Sequence, residues 1–116
     1  MVFNPDCIRD ILTECENSSD GFQELCIGEN NIPCTLSKYS WNELLYHLRQ
    51  CKSSNLFDEK SGEDILGDFI VNDLSPEGHK LLQQIKSNST WKKLLKRGAD
   101  SLPSLISIIA DIIGLL

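Results

Sequence analysis

The chain has 116 residues, of which 41% are hydrophobic and 24% are charged, and its formal net charge is −6 at pH 7. This length is enough for one domain with a single hydrophobic core, and it argues against a two-domain enzyme with an enclosed cleft. The acidic balance argues against a generic polyanion binder, because nonspecific nucleic-acid affinity depends on Lys and Arg side chains that neutralise phosphates.

The first predicted helix begins at Asn4-Pro5 and is expected to end near Asn17. Asn is typical of a helix start because its side chain caps free amides, and Pro fits the first helical position. The spacing indicates one apolar face, made of Ile8, Ile11, Leu12 and Cys15. A short extended segment is then predicted from Phe22, Leu25 and Ile27.

The best-defined predicted helix begins at Ser40-Trp41-Asn42-Glu43, a capping box in which the Ser hydroxyl and the Glu carboxylate satisfy backbone donors reciprocally. One side of this helix is apolar and is expected to pack: Trp41, Leu44, Leu45, Leu48 and Cys51. The other side is expected to face outward with side chains that form hydrogen bonds: Asn42, Tyr46, His47, Arg49 and Gln50.

A hairpin is predicted next, with Leu56-Phe57 as one arm and residues 68–74 as the other, joined by a long acidic bend. Ser75-Pro76 then begins a helix. Gly78 lies on the apolar stripe of that helix, where glycine costs up to about 1 kcal/mol of helix propensity. We therefore expect another backbone to approach Gly78 closely. His79 is interpreted as a bracing residue that bonds Gln83 or a hairpin carbonyl.

A further short helix is predicted to be capped by Ser89 or Thr90 and to end at Gly98. It carries a basic run that either contacts phosphates or, as is more usual, is a solvated face: Lys86, Lys92, Lys93, Lys96 and Arg97. Residues 75–116 hold six bases and three acids (net +3), whereas residues 1–37 hold one base and seven acids (net −6). An anionic partner is therefore expected to contact the second half.

The last predicted helix begins at Ser101-Leu102-Pro103 and is apolar around most of its circumference, so something must bury it. Folding back on the chain's own core, pairing with a second subunit and lying on a membrane are the three alternatives. We predict pairing into a homodimer, through Leu105, Ile106, Ile108, Ile109, Ile112, Ile113 and Leu116. Membrane contact is not expected, because the polar face lacks the Lys and Arg of a membrane-surface helix.

The cysteines are five in number and form no CxxC pair, and the N-terminus lacks the layout of a signal peptide. Reduced thiols and a cytoplasmic location are therefore predicted. His47, Cys51, Cys26 and Cys34 are candidate zinc ligands, but their loose spacing favours buried thiols instead. The sequence contains no phosphate-binding loop, HExxH or GxSxG motif. We therefore expect that the chain is not an enzyme and that it binds no cofactor, metal or small-molecule substrate.

The order of helix, capped helix, hairpin and helix is that of a winged helix, a mainly α fold with a small β-hairpin wing (α+β). The residues also resemble an uncharacterised family of Gram-positive bacteria and their prophages, known as domain of unknown function 2513. The resemblance rests on NPDCIRDILTECEN, LLYHLRQCKSSNLF and LSPEGHKLLQQIKSNSTWKK. It implies a winged-helix-like domain in a mobile-element setting. Members usually have Ala-Gly where Ser54-Asn55 stand.

We therefore predict a winged-helix-like domain in residues 1–98, a hydrophobic C-terminal helix in residues 99–116, and dimeric DNA binding as a prophage-type transcription regulator. The predicted DNA contacts are Lys38, Asn42, Tyr46, Arg49, Gln50 and Lys52, since helix-turn-helix proteins read bases from one exposed helix face. The alternative is a protein-interaction module on the same scaffold, favoured by the acidic bend.

Overall fold

Five helices and a small sheet form the structure, a computed structural model that describes residues 1–18 and 24–114. The helices are α1 (Pro5–Ser18), α2 (Trp41–Ser53), α3 (Pro76–Ile85), α4 (Asn88–Arg97) and α5 (Leu102–Gly114). The strands are β1 (Leu25–Ile27), β2 (Gly62–Glu63) and β3 (Phe69–Val71), and a 3-10 helix spans Cys34–Leu36. The predicted α+β class with mainly helical content is confirmed.

The helix starts follow from side chains that satisfy free backbone amides. Asn4 Oδ1 accepts a hydrogen bond from the amide of Asp6 at 3.0 Å, at the start of α1. At α2, the amide of Glu43 donates to Ser40 Oγ at 3.2 Å, and the amide of Ser40 donates to Glu43 Oε1 at 3.3 Å. The predicted capping box is therefore confirmed.

One predicted cap was wrong. The start of α4 is capped by Ser87, whose Oγ accepts from the amide of Thr90 at 3.5 Å. The helix begins earlier than expected, and Thr90 lies inside it with its side chain buried. The other end is as predicted, since Gly98 closes α4 with a left-handed φ of 68°.

The sheet places β3 in the centre, with β1 and β2 antiparallel on either side. Val71 pairs with Leu25 of β1, and Ile70 pairs with Gly62 of β2. The strand that pairs with β3 in the hairpin is β2, whereas the predicted arm Leu56-Phe57 contributes an isolated bridge from Phe57 to Leu74. The hairpin reaches further than expected, because the acidic bend contains β2. Of the predicted extended segment, Phe22 lies outside the described residues.

A single apolar cluster receives side chains from all five helices and from β1 and β3. The apolar faces predicted for α1 and α3 are fully or almost fully buried, as expected. On α5, Leu105, Ile109 and Ile112 belong to the same cluster, and the helix packs on α3 and α4. None of the helices in residues 1–18 and 24–114 is long and apolar enough to cross a membrane.

The C-terminal helix thus folds back on the chain's own core. Leu105, Ile109 and Ile112 cannot face a second copy while they fill this core, which removes the centre of the predicted dimer surface. Ile106, Ile108 and Ile113 are half-buried, and Leu116 lies outside the described residues. Dimerisation itself stays a prediction.

The close approach expected at Gly78 is confirmed. A Cβ at this position would overlap the carbonyl oxygen of Leu56, which also accepts a hydrogen bond from the amide of Ser75 at 2.9 Å. Asn55, immediately before Leu56, has a left-handed φ of 60°. Asn is one of the few residues that tolerates this backbone conformation. The turn after α2 and the start of α3 therefore lock together through main-chain atoms.

Gly78→Ala is expected to destabilise the fold, because the new methyl group displaces the Leu56 carbonyl from its bond with Ser75. We expect a loss of roughly 1–3 kcal/mol in the free energy of unfolding, measured by urea denaturation. Gly114→Ala is the control, since nothing lies within 4 Å of its Cβ and its φ is ordinary. Equal stability of the two variants would contradict the proposed close approach.

Candidate functional site

The exposed side of α2 and the neighbouring hairpin form the surface that contains most of the predicted DNA contacts. Asn42, Arg49 and Lys52 are exposed on α2, and Tyr46 is half-buried in an edge-to-face arrangement with His47, the two ring centroids being 5.0 Å apart. An open groove runs between α2 and the hairpin, lined by Arg49, Lys52, Ser53, Glu63 and Phe69. The helix therefore presents a polar row directly beside β2.

Arg49 is occupied by an acidic partner on β2. Its guanidinium binds the carboxylate of Glu63 in a two-pronged pair, with Nε on Oε1 and Nη2 on Oε2, the latter at 3.1 Å. The hydrogen bond from Arg49 lowers the pKa of Glu63. The Lys52 ammonium also lies over β2, against the position where Gly62 would carry a Cβ. Arg49 and Lys52, the two cations on α2 among the predicted DNA contacts, therefore both lie against the hairpin.

Gln50 and Lys38 have structural partners. Gln50 Oε1 accepts from the amide of Leu102 at 3.3 Å, so this side chain joins α2 to the first residue of α5. Lys38 lies in the turn before α2, with Nζ 3.0 Å from Asp10 Oδ2. That carboxylate also accepts from the hydroxyl of Tyr39 at 2.6 Å. Of the six predicted DNA contacts, these two hold α2 in place.

His47 was wrongly placed on the outward side of α2, because the structure buries it completely. Its Nδ1 lies 2.6 Å from the carbonyl oxygen of Glu43, and its Nε2 accepts from the amide of Asn4 at 2.9 Å. These partners require the neutral ring with the proton on Nδ1. Desolvation lowers the pKa of His47. The ring connects the start of α1 to α2.

The cysteines are placed as reduced thiols. Cys7, Cys15 and Cys51 are fully buried, and burial raises the pKa of Cys7 to about 12. Cys26 Sγ lies 3.7 Å from Asp68 Oδ2, and Cys34 is exposed. Within the described residues, no group of three or more His, Cys, Asp or Glu side chains is arranged to hold a metal ion.

His79 was expected to bond Gln83 or a hairpin carbonyl, but it contacts neither. Its Nε2 lies 3.4 Å from Asp73 Oδ1, and both side chains are about half exposed. Asp73 lies between β3 and α3. The histidine therefore braces the strand-to-helix junction, although through a different partner.

The tip of the hairpin carries two exposed aliphatic side chains that the sequence reading overlooked. Ile65 is 101% exposed and Leu66 is 81% exposed. Their turn is closed by hydrogen bonds, since Asp64 Oδ1 accepts from the amides of Leu66 and Asp68 at 2.9 and 3.0 Å. The sequence does contain a signal for these exposed side chains, because the Ile-Leu pair stands between an aspartate and a glycine inside an acidic bend.

The predicted basic run is solvent-exposed where it lies on α4, whereas Lys86 stands at the end of α3 with its Nζ 2.7 Å from Glu16 Oε1. Lys92, Lys93, Lys96 and Arg97 form no ion pair with any residue in the described part of the chain. Leu95 is 45% exposed among them. From Lys80 to Arg97 the sequence contains six bases and no acid. This helix is therefore a cationic surface on an otherwise acidic chain.

A family model described as "Hypothetical protein (DUF2513)" matches residues 3–101. The match covers most of the chain, which therefore belongs to this family, as the resemblance of its motifs indicated. A search of curated proteins and a search of solved structures each returned no match.

The buried His47 makes stability dependent on pH. Its pKa in the folded chain lies below the ordinary value of 6.5, so its contribution is fully present above that pH and is lost as pH falls towards the folded pKa. We expect the free energy of unfolding to fall between pH 7.5 and 5.5, by at most about 1.4 kcal/mol per pH unit from this residue.

The measurement is urea denaturation at both pH values for wild type, His47→Gln and His79→Gln. His47→Gln should be less stable at pH 7.5 and should lose less stability on acidification. His79→Gln is the matched control, because it removes a half-exposed histidine and leaves the buried ring of His47 in place, so its loss of stability on acidification should exceed that of His47→Gln. An undiminished pH dependence in His47→Gln would refute the assignment.

Proposed function

We propose that the chain is a winged-helix DNA-binding protein of the regulator type, with α2 as the reading helix and the β2–β3 hairpin as the wing. The observation that carries the proposal is the exposed polar row of α2 beside a hairpin that follows it directly in the chain. Strand β1, between α1 and α2, pairs with β3 and so anchors the hairpin to the body. This element order supports a winged-helix arrangement.

The residue types on the exposed row suit base and phosphate recognition. An arginine can donate two hydrogen bonds to guanine, and an asparagine can pair in the same two-pronged way with adenine. Arg49 and Asn42 are the candidates for these roles, and Tyr46 lies between them on the same side. Lys52 would contact phosphates. Lys38 and Gln50 have internal partners and would support the helix instead.

The pair uses Nε and Nη2 of Arg49, one of the edges through which a guanidinium can donate two hydrogen bonds, so a base contact through that edge requires Arg49 to leave Glu63. Glu63 therefore competes with DNA for the guanidinium. The pair is exposed to solvent, where such ion pairs contribute little, so exchange of partners is inexpensive. The acidic hairpin would still repel phosphates, which limits its approach to the backbone.

A protein-interaction module on the same scaffold is the second candidate. Two observations favour it: the acidic residues of the hairpin bend and the exposed Ile65-Leu66 pair at its tip. Such a surface is unsuited to a polyanion, whereas apolar side chains with acidic neighbours suit a protein with a basic rim.

The test uses duplex DNA enriched by the wild-type protein from a random-sequence pool, titrated in mobility-shift assays over a salt series. Affinity should fall with salt as released counterions require. Arg49→Ala should weaken binding by the roughly 1–3 kcal/mol of a two-pronged base contact, about 5- to 150-fold.

Glu63→Gln frees Arg49 and should tighten binding. Glu59→Gln is the matched control, because it removes the same charge from the same bend without touching Arg49. Binding should be tighter in Glu63→Gln than in Glu59→Gln. Equal DNA affinities of the two variants would contradict the role of Arg49 as a base contact. If the wild-type protein enriches no sequence, DNA binding is contradicted and the protein-interaction module is favoured.

A further inference from the structure

The hairpin tip displays a preformed apolar knob, defined here as Ile65 and Leu66. Besides the two bonds to Asp64 Oδ1, the amide of Asp64 donates to the carbonyl of Asp68 at 2.9 Å, and the amide of Gly67 donates to the carbonyl of Asp64 at 3.2 Å. Gly67 has a φ of 89°, which glycine adopts without strain. The backbone of the knob is therefore stabilised by hydrogen bonds within its own turn.

The surroundings of the knob limit what it can meet. Its own turn contains Asp64 and Asp68, and Glu59 is exposed in the same bend. A phosphate-rich surface, whether DNA or an anionic lipid, would be repelled by these carboxylates. A complementary partner therefore offers apolar area for two aliphatic side chains, surrounded by cations.

Helix α4 of this chain has that chemistry. Leu95 is half-exposed, Lys92 lies three residues before it on the same side of the helix, and Lys96 lies one turn after Lys92 on the exposed arc. Lysine stems are apolar and can cover aliphatic side chains while their ammonium groups reach outward to carboxylates. The exposed arc of α4 thus combines apolar contact with positive charge.

We propose that the chain self-associates by docking the knob of one copy on α4 of a second copy. Ile65 and Leu66 pack on Leu95 and the stems of Lys92 and Lys96, and the ammonium groups face the carboxylates of the hairpin. A two-fold axis makes the contact twice and closes the dimer. The contact does not rest on DNA binding, and it differs from a dimer formed through α5.

The size and charge of this interface set its behaviour. A hairpin tip and one helix face bury less than the roughly 800 Å² per partner of a standard stable interface, so the association is weak. Because it depends on exposed charges, it weakens as salt rises. A dimer held by the apolar residues of α5 would instead be insensitive to salt.

The experiment follows amide chemical shifts of the labelled full-length chain by NMR during dilution, at low and high salt. Shifts of residues 64–67 and of residues 91–96 should change together with concentration, and the change should vanish at high salt. In the double variant Ile65→Ser/Leu66→Ser, the shifts of residues 91–96 should no longer depend on concentration. These knob side chains are exposed, so the variant should stay folded.

A charge control separates this contact from general electrostatics. Lys92→Glu/Lys96→Glu reverses two charges next to Leu95 and should abolish the concentration dependence. Lys93→Glu/Arg97→Glu changes the net charge by the same amount on the far edge of the exposed arc. This variant should largely retain the concentration dependence. The proposal is overturned if wild type shows no concentration dependence, if only one surface responds, or if the two charge variants behave alike.

Discussion

The hydrogen bond from the amide of Asn4 to His47 Nε2 ties the start of α1 to α2, and the two helices also pack on each other through apolar side chains of the core. The hydrogen bond joins residues 43 positions apart and satisfies a donor at the start of α1. The same ring reaches the carbonyl of Glu43, so a single buried side chain serves main-chain groups of both helices. Because the inner side of α2 packs against the core, its opposite side faces solvent beside the hairpin.

Much of the fold could be predicted because it depends on local chemistry. Capping residues marked the starts of α1, α2 and α3, and helical spacing marked the faces that are buried. Gly78 was informative since a glycine on an apolar stripe is costly unless something requires it. Asn55 carries a similar signal, because its left-handed φ is one that few residues other than glycine and Asn adopt readily.

The candidate site was harder to predict, because pairing between distant residues decides it. His47 fell on the polar side of a helical projection, yet a main-chain donor 43 residues away draws it into the core. Gln50 and Arg49 have the side chains of base-reading residues, but Leu102 and Glu63 occupy them. No periodicity identifies those partners. In the same way, α5 folds back on the core only because α3 and α4 leave an apolar surface for it.

Charge separates the molecule into two regions with different uses. The hairpin is acidic and carries exposed aliphatic side chains, whereas α4 is basic, and the polar row of α2 lies beside the hairpin, where Arg49 pairs with Glu63. The central claim is that the exposed row of α2 reads DNA. NMR titration of the labelled chain with an enriched duplex tests it directly. The account predicts that the side-chain signals of Asn42 and Arg49 shift most, with the Arg49 signals moving away from those of the Glu63-bound state. Shifts confined to α4, with α2 unchanged, would contradict it.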